Sequence, residues 1–235
     1  MADESTRTWL WRSVVQGVFF ALLVSGVGVV LTAKVTEVMA PPTCADTKDL
    51  VRIERPAASA TSVHPPERDS QGRVLTYLPD RVLDGDTATG WAEGAPDLGQ
   101  GQALVFDFPQ PVSLSMLCVV NGYAQSWALY TKNARVRALA VVALEQHGSV
   151  STAGQPPSQS ATPLPLPSPS DASTIRYVTL SDAGSPDHVA QFQSESVDLP
   201  PVRRLALRIE SVYSGTTVGR LADTSLSEIE FWGPP

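Results

Sequence analysis

The stretch from Asp80 to Trp91 has residue types and a spacing that could bind a cation. It carries the carboxylates of Asp84 and Asp86, the hydroxyl of Thr89, and two glycines that let the backbone curl tightly. Carboxylate, hydroxyl and inward-turned carbonyl oxygens are the ligands that Ca²⁺ prefers. The stretch is not an EF-hand loop, because the twelve-residue pattern that ends in a bidentate Glu is absent. A metal-free turn between two strands, with its polar side chains bonded to nearby amides, is the alternative that composition leaves open.

Aromatic, amide and guanidinium side chains further along the chain could form a binding surface. Flat rings with a few fixed polar groups suit a carbohydrate or a protein loop equally well. The candidate ligand contacts are Asn121, Tyr123, Tyr130, Asn133, Arg135 and Tyr213. Trp91 and Trp127 offer further rings, although we expect Trp91 to be structural. For each ring the alternative is packing in the core.

The sequence contains no recognisable catalytic constellation. The three histidines, His64, His147 and His188, are scattered over expected loops, and neither a Gly-x-Ser-x-Gly elbow nor a phosphate-binding glycine loop is present. We therefore predict that the protein is not an enzyme. The formal net charge of -7 and the pI of about 4.9 also argue against nucleic acid as a partner.

The elements that must position these residues are predicted to be short β-strands. Apolar residues recur with a period of two after Trp91, and turns rich in Gly and Pro separate the segments. The predicted strands are residues 103–108, 112–121, 136–145, 175–180, 190–198, 204–212 and 225–232. No convincing helix is predicted in this region, although residues 136–145 could be a buried helix by composition. The pattern predicts an all-β sandwich or barrel.

The N-terminal part of the chain predicts a membrane anchor. Residues 13–33 contain no charged side chain, and a helix of this length, about 31 Å, matches a hydrocarbon core of about 30 Å. Residues 1–12 would form a short tail before it. A cleaved signal peptide is the alternative, but its apolar region is normally about 7–15 residues long. Flanking basic residues leave the orientation open; we expect the C-terminal domain outside the cytoplasm because it has the character of an exported β domain.

Two segments of biased composition border the predicted strands. Residues 34–71, rich in Pro, Ala, Ser and Thr, are predicted to be a linker or stalk, so the domain is expected at residues 72–235. Residues 149–173, rich in Pro and Ser, are predicted to be a disordered surface insertion. The only two cysteines, Cys44 and Cys118, could pair in an exported protein, and two free thiols are the alternative.

Several segments of the chain resemble the discoidin, or coagulation factor 5/8 type C, family. The loop Val82–Trp91 and the ending Ser227–Gly233 carry the resemblance to the family as a whole. The segments Val120–Ala124, Leu129–Arg135 and Ser211–Gly215 are similar to the subgroup described as the NADase-type glycan-binding domain. The resemblance covers residues 59–235 and implies an eight-stranded jelly-roll sandwich of the galactose-binding-like type.

The resemblance also implies a structural Ca²⁺ site where the two ends of the domain meet. Its ligands would be the carbonyl of Arg81, the side chain of Asp84, the carbonyl of Asp86, both oxygens of Thr89 and the carboxylate of Glu228. Such an ion would join segments that lie more than a hundred residues apart. A metal-free loop, in which Arg81 or Thr89 bonds the carboxylates directly, remains the alternative.

Together these observations predict a membrane-anchored, non-catalytic binding module displayed outside the cytoplasm of a bacterial-type cell. It would contact the bilayer through residues 13–33 and recognise a glycan or another cell-envelope ligand. Glycan recognition follows by analogy from the resemblance. The alternative is an accessory subunit whose β-sandwich docks onto a partner membrane protein complex.

Overall fold

The computed structural model describes residues 44–45, 47–54, 56–144, 172–217 and 223–235. The predicted tail and transmembrane helix, and nearly all of the predicted proline-rich insertion, lie outside these residues. In the part of the chain that is described, no helix is long and apolar enough to cross a membrane. Residues 43–235 group into one compact unit.

Strands dominate the described residues, which confirms the predicted all-β class. The strands are β1 (Val51–Arg52), β2 (Ala57–Ala60), β3 (Glu67–Arg68), β4 (Val74–Leu75), β5 (Trp91–Ala92), β6 (Ala103–Asn121), β7 (Ala134–Leu144), β8 (Ala172–Thr179), β9 (Gln193–Tyr213) and β10 (Thr224–Gly233). A short α-helix, α1 (Trp127–Lys132), and the 3-10 helices Pro79–Leu83, Asp97–Gly99 and Pro186–His188 complete the elements.

Eight of the strands form one sheet whose pairings close on themselves. The order is β1-β10-β6-β9-β7-β8, with β2 added to β6 and β5 added to β10, while β3 and β4 form a separate hairpin. β10 is antiparallel to β6, and its residues Thr224 and Ser225 also pair in parallel with β7. Because β6 pairs with β9 and β9 pairs with β7, these four strands make a closed circuit around the main core.

β6 and β9 are each longer than the strands predicted for them. β6 covers two predicted strands, residues 103–108 and 112–121. β9 likewise covers most of the two strands predicted at residues 190–198 and 204–212. The prolines at 109 and 111 do not end β6, because the β6–β9 register shifts between residues 107 and 112. Proline cannot donate to a strand ladder but is tolerated at such irregularities, where a strand bends. Two separate strands were therefore the wrong prediction at each place.

The predicted boundary between linker and domain at residue 72 is also wrong. Ala57–Ala60 pairs with β6 in the main sheet, and Ala60 and Thr61 are buried. Small residues suit this position because the strand lies over the body of the domain, so composition gave a misleading signal. At the other biased segment, β8 begins at Ala172, two residues inside the predicted insertion.

Helix α1 was missed from the sequence. Ser126 precedes it as an N-cap, and its hydroxyl accepts a hydrogen bond from the backbone N–H of Leu129 at 3.3 Å. Six residues are too few for a clear helical periodicity. The helix packs Tyr130 inward and leaves Trp127 exposed.

The main core contains an aromatic cluster from the two strands that run beside each other. Phe231 of β10 contacts Phe106 and Phe108 of β6 edge to face, with ring centroids 4.9 and 5.4 Å apart. Trp91 is fully buried, and its indole N–H donates to the carbonyl of Ser62 at 3.0 Å. Trp91 is therefore structural, as expected.

Cys44 and Cys118 form a disulfide in the structure. Their Cα atoms are 5.9 Å apart, within the range that a disulfide spans. The bond ties the segment before β1 to the C-terminal part of β6. Beyond it, the N–H of Ile53 donates to the carbonyl of Phe231 at 2.8 Å, and Arg52 pairs with Glu230 at 3.1 Å.

Candidate functional site

The predicted cation loop follows the 3-10 helix Pro79–Leu83 and packs against β10. Val82 and Leu83 are buried and anchor the helix in the core. Gly85 has φ +83°, which favours glycine. A Cβ on Gly90 would lie 2.5 Å from the carbonyl oxygen of Leu226, so only glycine allows the loop to approach β10 this closely.

Three of the predicted ligand residues place oxygens around the hydroxyl of a fourth, Thr89. Its Oγ1 is 2.8 Å from Oδ2 of Asp84, 3.2 Å from the carbonyl oxygen of Asp86 and 3.5 Å from that of Arg81. A hydroxyl has a single proton to donate, so it cannot satisfy three acceptors at once. Other donors of the loop share these oxygens: the N–H of Thr89 donates to the carbonyl of Asp86 at 3.0 Å, and the N–H of Asp86 donates to Oδ1 of Asp84 at 3.0 Å.

Glu228 adds a buried carboxylate from β10 to this cluster. It is 1% exposed, and its Oε2 accepts a hydrogen bond from the N–H of Gly85 at 3.0 Å. Its Oε1 is buried and has no hydrogen-bond partner; Nη2 of Arg52 lies 3.9 Å away. Burial, helped by the charge of Asp84, raises the pKa of Glu228 to about 8.

The residues therefore fit a bound cation, with Glu228 as the deciding member. Asp84 does make the direct bonds expected for a metal-free loop. Its Oδ2 accepts from Nη1 of Arg81 at 3.4 Å and from the hydroxyl of Thr89 at 2.8 Å. These bonds leave Oε1 of Glu228 unsatisfied. A buried oxygen without a partner, beside neutral oxygens and a second carboxylate, matches the chemistry of a hard divalent ion.

The predicted ligand contacts do not share one surface. Tyr130 and Arg135 are 1% and 7% exposed and belong to an internal network. The hydroxyl of Tyr130 donates to Asp182 Oδ1 at 2.8 Å, and Nε of Arg135 donates to the same oxygen at 3.1 Å. Nη1 of Arg135 also donates to the carbonyl of Ser214 at 2.9 Å. This placement argues against direct contact of either residue with a ligand.

Asn121 is likewise buried, with 2% of its surface exposed. Its Nδ2 donates to the carbonyl of Val136 at 2.7 Å, and its Oδ1 accepts from the N–H of Val136 at 3.0 Å. The amide thereby bonds the end of β6 to the start of β7 as a neighbouring strand would. Tyr213 is half-buried, and its hydroxyl donates to the carbonyl of Leu180 at 3.1 Å.

Tyr123 and Asn133, by contrast, line a pocket of about 290 Å³, here called the aromatic pocket. Its wall also contains His64, Glu67, Tyr77, Ala92, Leu129, Lys132, Thr217, Asp223 and Ser225. The rings of Tyr77 and Tyr123 have an interplanar angle of 66° and centroids 5.9 Å apart. The rings of His64 and Tyr77 have an interplanar angle of 86° and centroids 5.1 Å apart. Tyr77 and His64 are half-buried and Tyr123 is 7% exposed, so Tyr77 and His64 carry most of the accessible ring surface of the corner that the three rings form.

The polar groups of the aromatic pocket are paired with one another. The hydroxyl of Tyr77 donates to Oε2 of Glu67 at 3.2 Å. Burial, followed by the charge of Glu67, raises the pKa of Tyr77, so this hydroxyl keeps its proton. Lys132 stands on the pocket wall with a charge opposite to that of Glu67.

His64 and Asp223 contact each other at the edge of the pocket. Nδ1 of His64 is 2.7 Å from the carbonyl oxygen of Pro65 and must carry a hydrogen, because a carbonyl only accepts. Nε2 is 3.1 Å from Oδ2 of Asp223. Burial raises the pKa of Asp223 while His64 opposes that shift. The pocket thus places the carboxyl groups of Glu67 and Asp223 on the same wall as the ammonium group of Lys132.

Both ring nitrogens of His64 are therefore engaged. Ser225 also lines the pocket, but neither nitrogen is free to act as its general base, as nucleophilic catalysis would require. The arrangement is suited to forming hydrogen bonds with a ligand.

Sequence reasoning did not select His64, Glu67, Tyr77 or Asp223 as site residues. They come from segments between residues 64 and 77 and from the start of β10, which are far apart in the sequence. The N–H of His64 donates to the carbonyl of Ala92 at 2.8 Å, and Ala92 of β5 pairs with Ser225 of β10, which brings these segments together. No local motif marks them.

The fold and the two sites define an all-β domain with a ligand-sized pocket and a cation-competent loop. The chain belongs to the F5/8 type C domain family: residues 57–232 match the NAD glycohydrolase translocation F5/8 type C domain. This confirms the family indicated by the sequence. No curated protein matches the chain.

Distantly similar solved structures include the F5/8 type C domain of a Bacteroides fragilis protein, with 13% identity, a TM-score of 0.45 and coverage of 80% of this chain and 98% of that one. The family 32 carbohydrate-binding module of Clostridium perfringens NanJ, solved with galactose, has 13% identity and a TM-score of 0.41. The match covers 78% of this chain and 98% of that one. Truncated AlyQ, with its CBM32 and alginate lyase domains, has 13% identity and a TM-score of 0.43. That match covers 78% of this chain but only 33% of the AlyQ chain. These likenesses are too distant to indicate a ligand.

Proposed function

We propose that this protein is a non-catalytic glycan-binding module and that the aromatic pocket holds a sugar ring. The observation that carries the proposal is the corner formed by Tyr77, Tyr123 and His64, with hydrogen-bonding groups around it. The apolar face of a sugar packs on flat rings, while its hydroxyls need fixed donors and acceptors.

The polar lining supplies both kinds of partner for hydroxyl groups. Glu67 and Asp223 offer acceptors, Lys132 offers donors, and the amide of Asn133 offers both. Because the wall carries side chains of both signs, Glu67 and Asp223 against Lys132, the pocket suits an uncharged sugar better than a strongly anionic or cationic one.

We also propose that Ca²⁺ binds the loop beside β10. The carbonyls of Arg81 and Asp86, the side chain of Asp84, the oxygens of Thr89 and the carboxylate of Glu228 would hold it. The ion would supply the positive charge that two carboxylates need when they are close together and largely shielded from water. By joining the loop to β10, these residues would also hold the start of β10, and thus Asp223, in position at the pocket.

The domain is proposed to be displayed outside the cytoplasm on a membrane anchor at residues 13–33. The disulfide between Cys44 and Cys118 supports an oxidising compartment. Tags at each end of the full-length protein, followed by protease treatment of intact cells, test this. The C-terminal tag should be lost, and its protection would contradict the proposed orientation.

A glycan array probed with the full-length protein, in a detergent without a sugar headgroup, tests the binding function. We expect selective binding of uncharged saccharides that falls about tenfold in Tyr77→Ala, because a ring contact contributes about 1 kcal/mol beyond its buried area. Tyr177→Ala is the matched control, since Tyr177 on β8 is 68% exposed and does not line the pocket.

Two results would contradict this function. One is the absence of binding to any saccharide, and the other is equal binding by the Tyr77→Ala and Tyr177→Ala variants. A stoichiometric membrane partner recovered in mild detergent, together with no sugar binding, would favour the accessory-subunit alternative instead.

A further inference from the structure

We propose that the ligand is a linear oligosaccharide that occupies two adjoining subsites, an inference that rests on the proposed glycan-binding function. A second cavity of about 430 Å³, here called the outer cavity, adjoins the aromatic pocket. It is lined by His64, Pro65, Gly94, Ala95, Pro96 and Asp223. Two of these residues, His64 and Asp223, line both cavities.

The His64–Asp223 pair forms the boundary between the two cavities. Its Nε2 and Oδ2 atoms are 3.1 Å apart, and each side chain is 19% exposed. A ligand that fills the aromatic pocket and extends past this pair enters the outer cavity. A sugar chain crossing here would place the hydroxyls beside its linkage against a donor and an acceptor that are already fixed to each other.

The wall of the outer cavity is held rigidly from behind. Glu93 is fully buried and accepts hydrogen bonds from the N–H groups of Ala95 at 2.7 Å and of Thr224 at 3.3 Å. A Cβ on Gly94 would lie 2.4 Å from the carbonyl oxygen of Val63, so the chain passes too closely for any other residue. A preformed wall lowers the entropic cost of binding a flexible ligand.

The next residues are held in an unusual backbone conformation. Asp97 and Leu98 have φ values of +66° and +61°, and the hydroxyl of Thr224 donates to the carbonyl of Leu98 at 2.7 Å. Non-glycine residues keep such a conformation only where their surroundings enforce it, which is common at ligand sites.

The two cavities differ in a way that suits two sugar units with different roles. The aromatic pocket offers rings and several polar groups. The outer cavity offers Pro65 and Pro96, small residues, and no titratable side chain besides the shared pair. A sugar ring lying on the prolines would add contact area with little selectivity. The first subsite would therefore select the sugar, and the second would favour chains over single units.

Titration calorimetry on the full-length protein tests this with ladders of gluco-, galacto- and N-acetylglucosamine oligosaccharides of one to six units. We expect affinity to rise at least tenfold between one unit and two or three units, and then to level off. Ala95→Trp, which fills the outer cavity and keeps its backbone N–H, should remove this gain and preserve binding of the single sugar. Ala57→Trp is the matched control, since Ala57 is an exposed residue of β2.

The ladder with the unaltered protein decides the inference even if Ala95→Trp does not fold. Equal affinity for one unit and for longer chains overturns the two-subsite inference and leaves the glycan-binding function standing. If none of the saccharides in the ladders or on the array binds, the function fails, and this inference fails with it.

Discussion

Replacing Asn121 separates a structural role from a ligand-binding role more clearly than any other single change. The Asn121→Ala variant removes both hydrogen bonds to Val136, which is itself fully buried. An unsatisfied buried backbone group costs about 1–3 kcal/mol. Losing partners for one N–H and one C=O should therefore lower the free energy of unfolding by about 2–6 kcal/mol in this variant.

For a domain of this size, 1 kcal/mol changes the melting temperature by about 2–4 °C. Asn121→Ala should therefore melt about 4–24 °C below the unaltered protein, while its sugar affinity at low temperature stays the same. Asn133→Ala is the matched control, because the Asn133 side chain lines the aromatic pocket. Asn133→Ala should change the melting temperature by about 1–2 °C at most and weaken sugar binding.

Differential scanning calorimetry and sugar titration on both variants provide the measurements. If Asn121→Ala melts like the unaltered protein but no longer binds sugar, the structural assignment is refuted. The direct contact indicated by the sequence would then be correct.

The remaining predictions concern buried carboxylates and the disulfide. Burial raises the pKa of Glu93 to about 7 in the folded state, above the 4.5 of a free side chain. The stability this group contributes is therefore complete below pH 4.5 and is lost as the pH rises through 7, by up to about 3 kcal/mol. Urea unfolding at pH 5 and pH 8 should show a smaller loss in Glu93→Gln than in the unaltered protein, because the variant keeps only the contribution of Glu228, whose pKa is raised to about 8; equal pH dependence in both would contradict the prediction. A chelator should lower the melting temperature of the protein in calorimetry, and the Glu228→Gln variant should lack this response; an unchanged melting temperature would argue against a structural ion. The disulfide spans 74 positions, so Cys44→Ser should reduce the free energy of denaturant unfolding by about 4 kcal/mol; no change would show that the bond does not constrain the unfolded chain.

The sequence predicted the strand content well because alternation survives in most of the strands. Leu205, Leu207 and Ile209 of β9 all join the main core, as the pattern required, while Ala206 between them is buried in a smaller separate cluster. The cation loop was also recognisable locally, since its glycines and carboxylates lie within ten residues. Its geometry agrees with the family resemblance, whereas the presence of the ion remains a prediction.

Long-range pairing explains most of what the sequence did not reveal. Asn121 and Arg135 have side chains typical of sugar contacts, and only the closure of β6, β7 and β10 shows that both are buried. The prolines of β6 looked like strand ends because the register shift that accommodates them involves β9. Likewise, nothing in the sequence around His64 indicates that Asp223 lies 3.1 Å away.

A crystal structure with the tightest-binding saccharide from the array tests the central claim most directly. We predict a sugar ring against Tyr77 or Tyr123, with its hydroxyls within hydrogen-bond distance of Asp223 or Asn133. A sugar bound elsewhere on the domain, with the aromatic pocket holding only water, would contradict the proposed site.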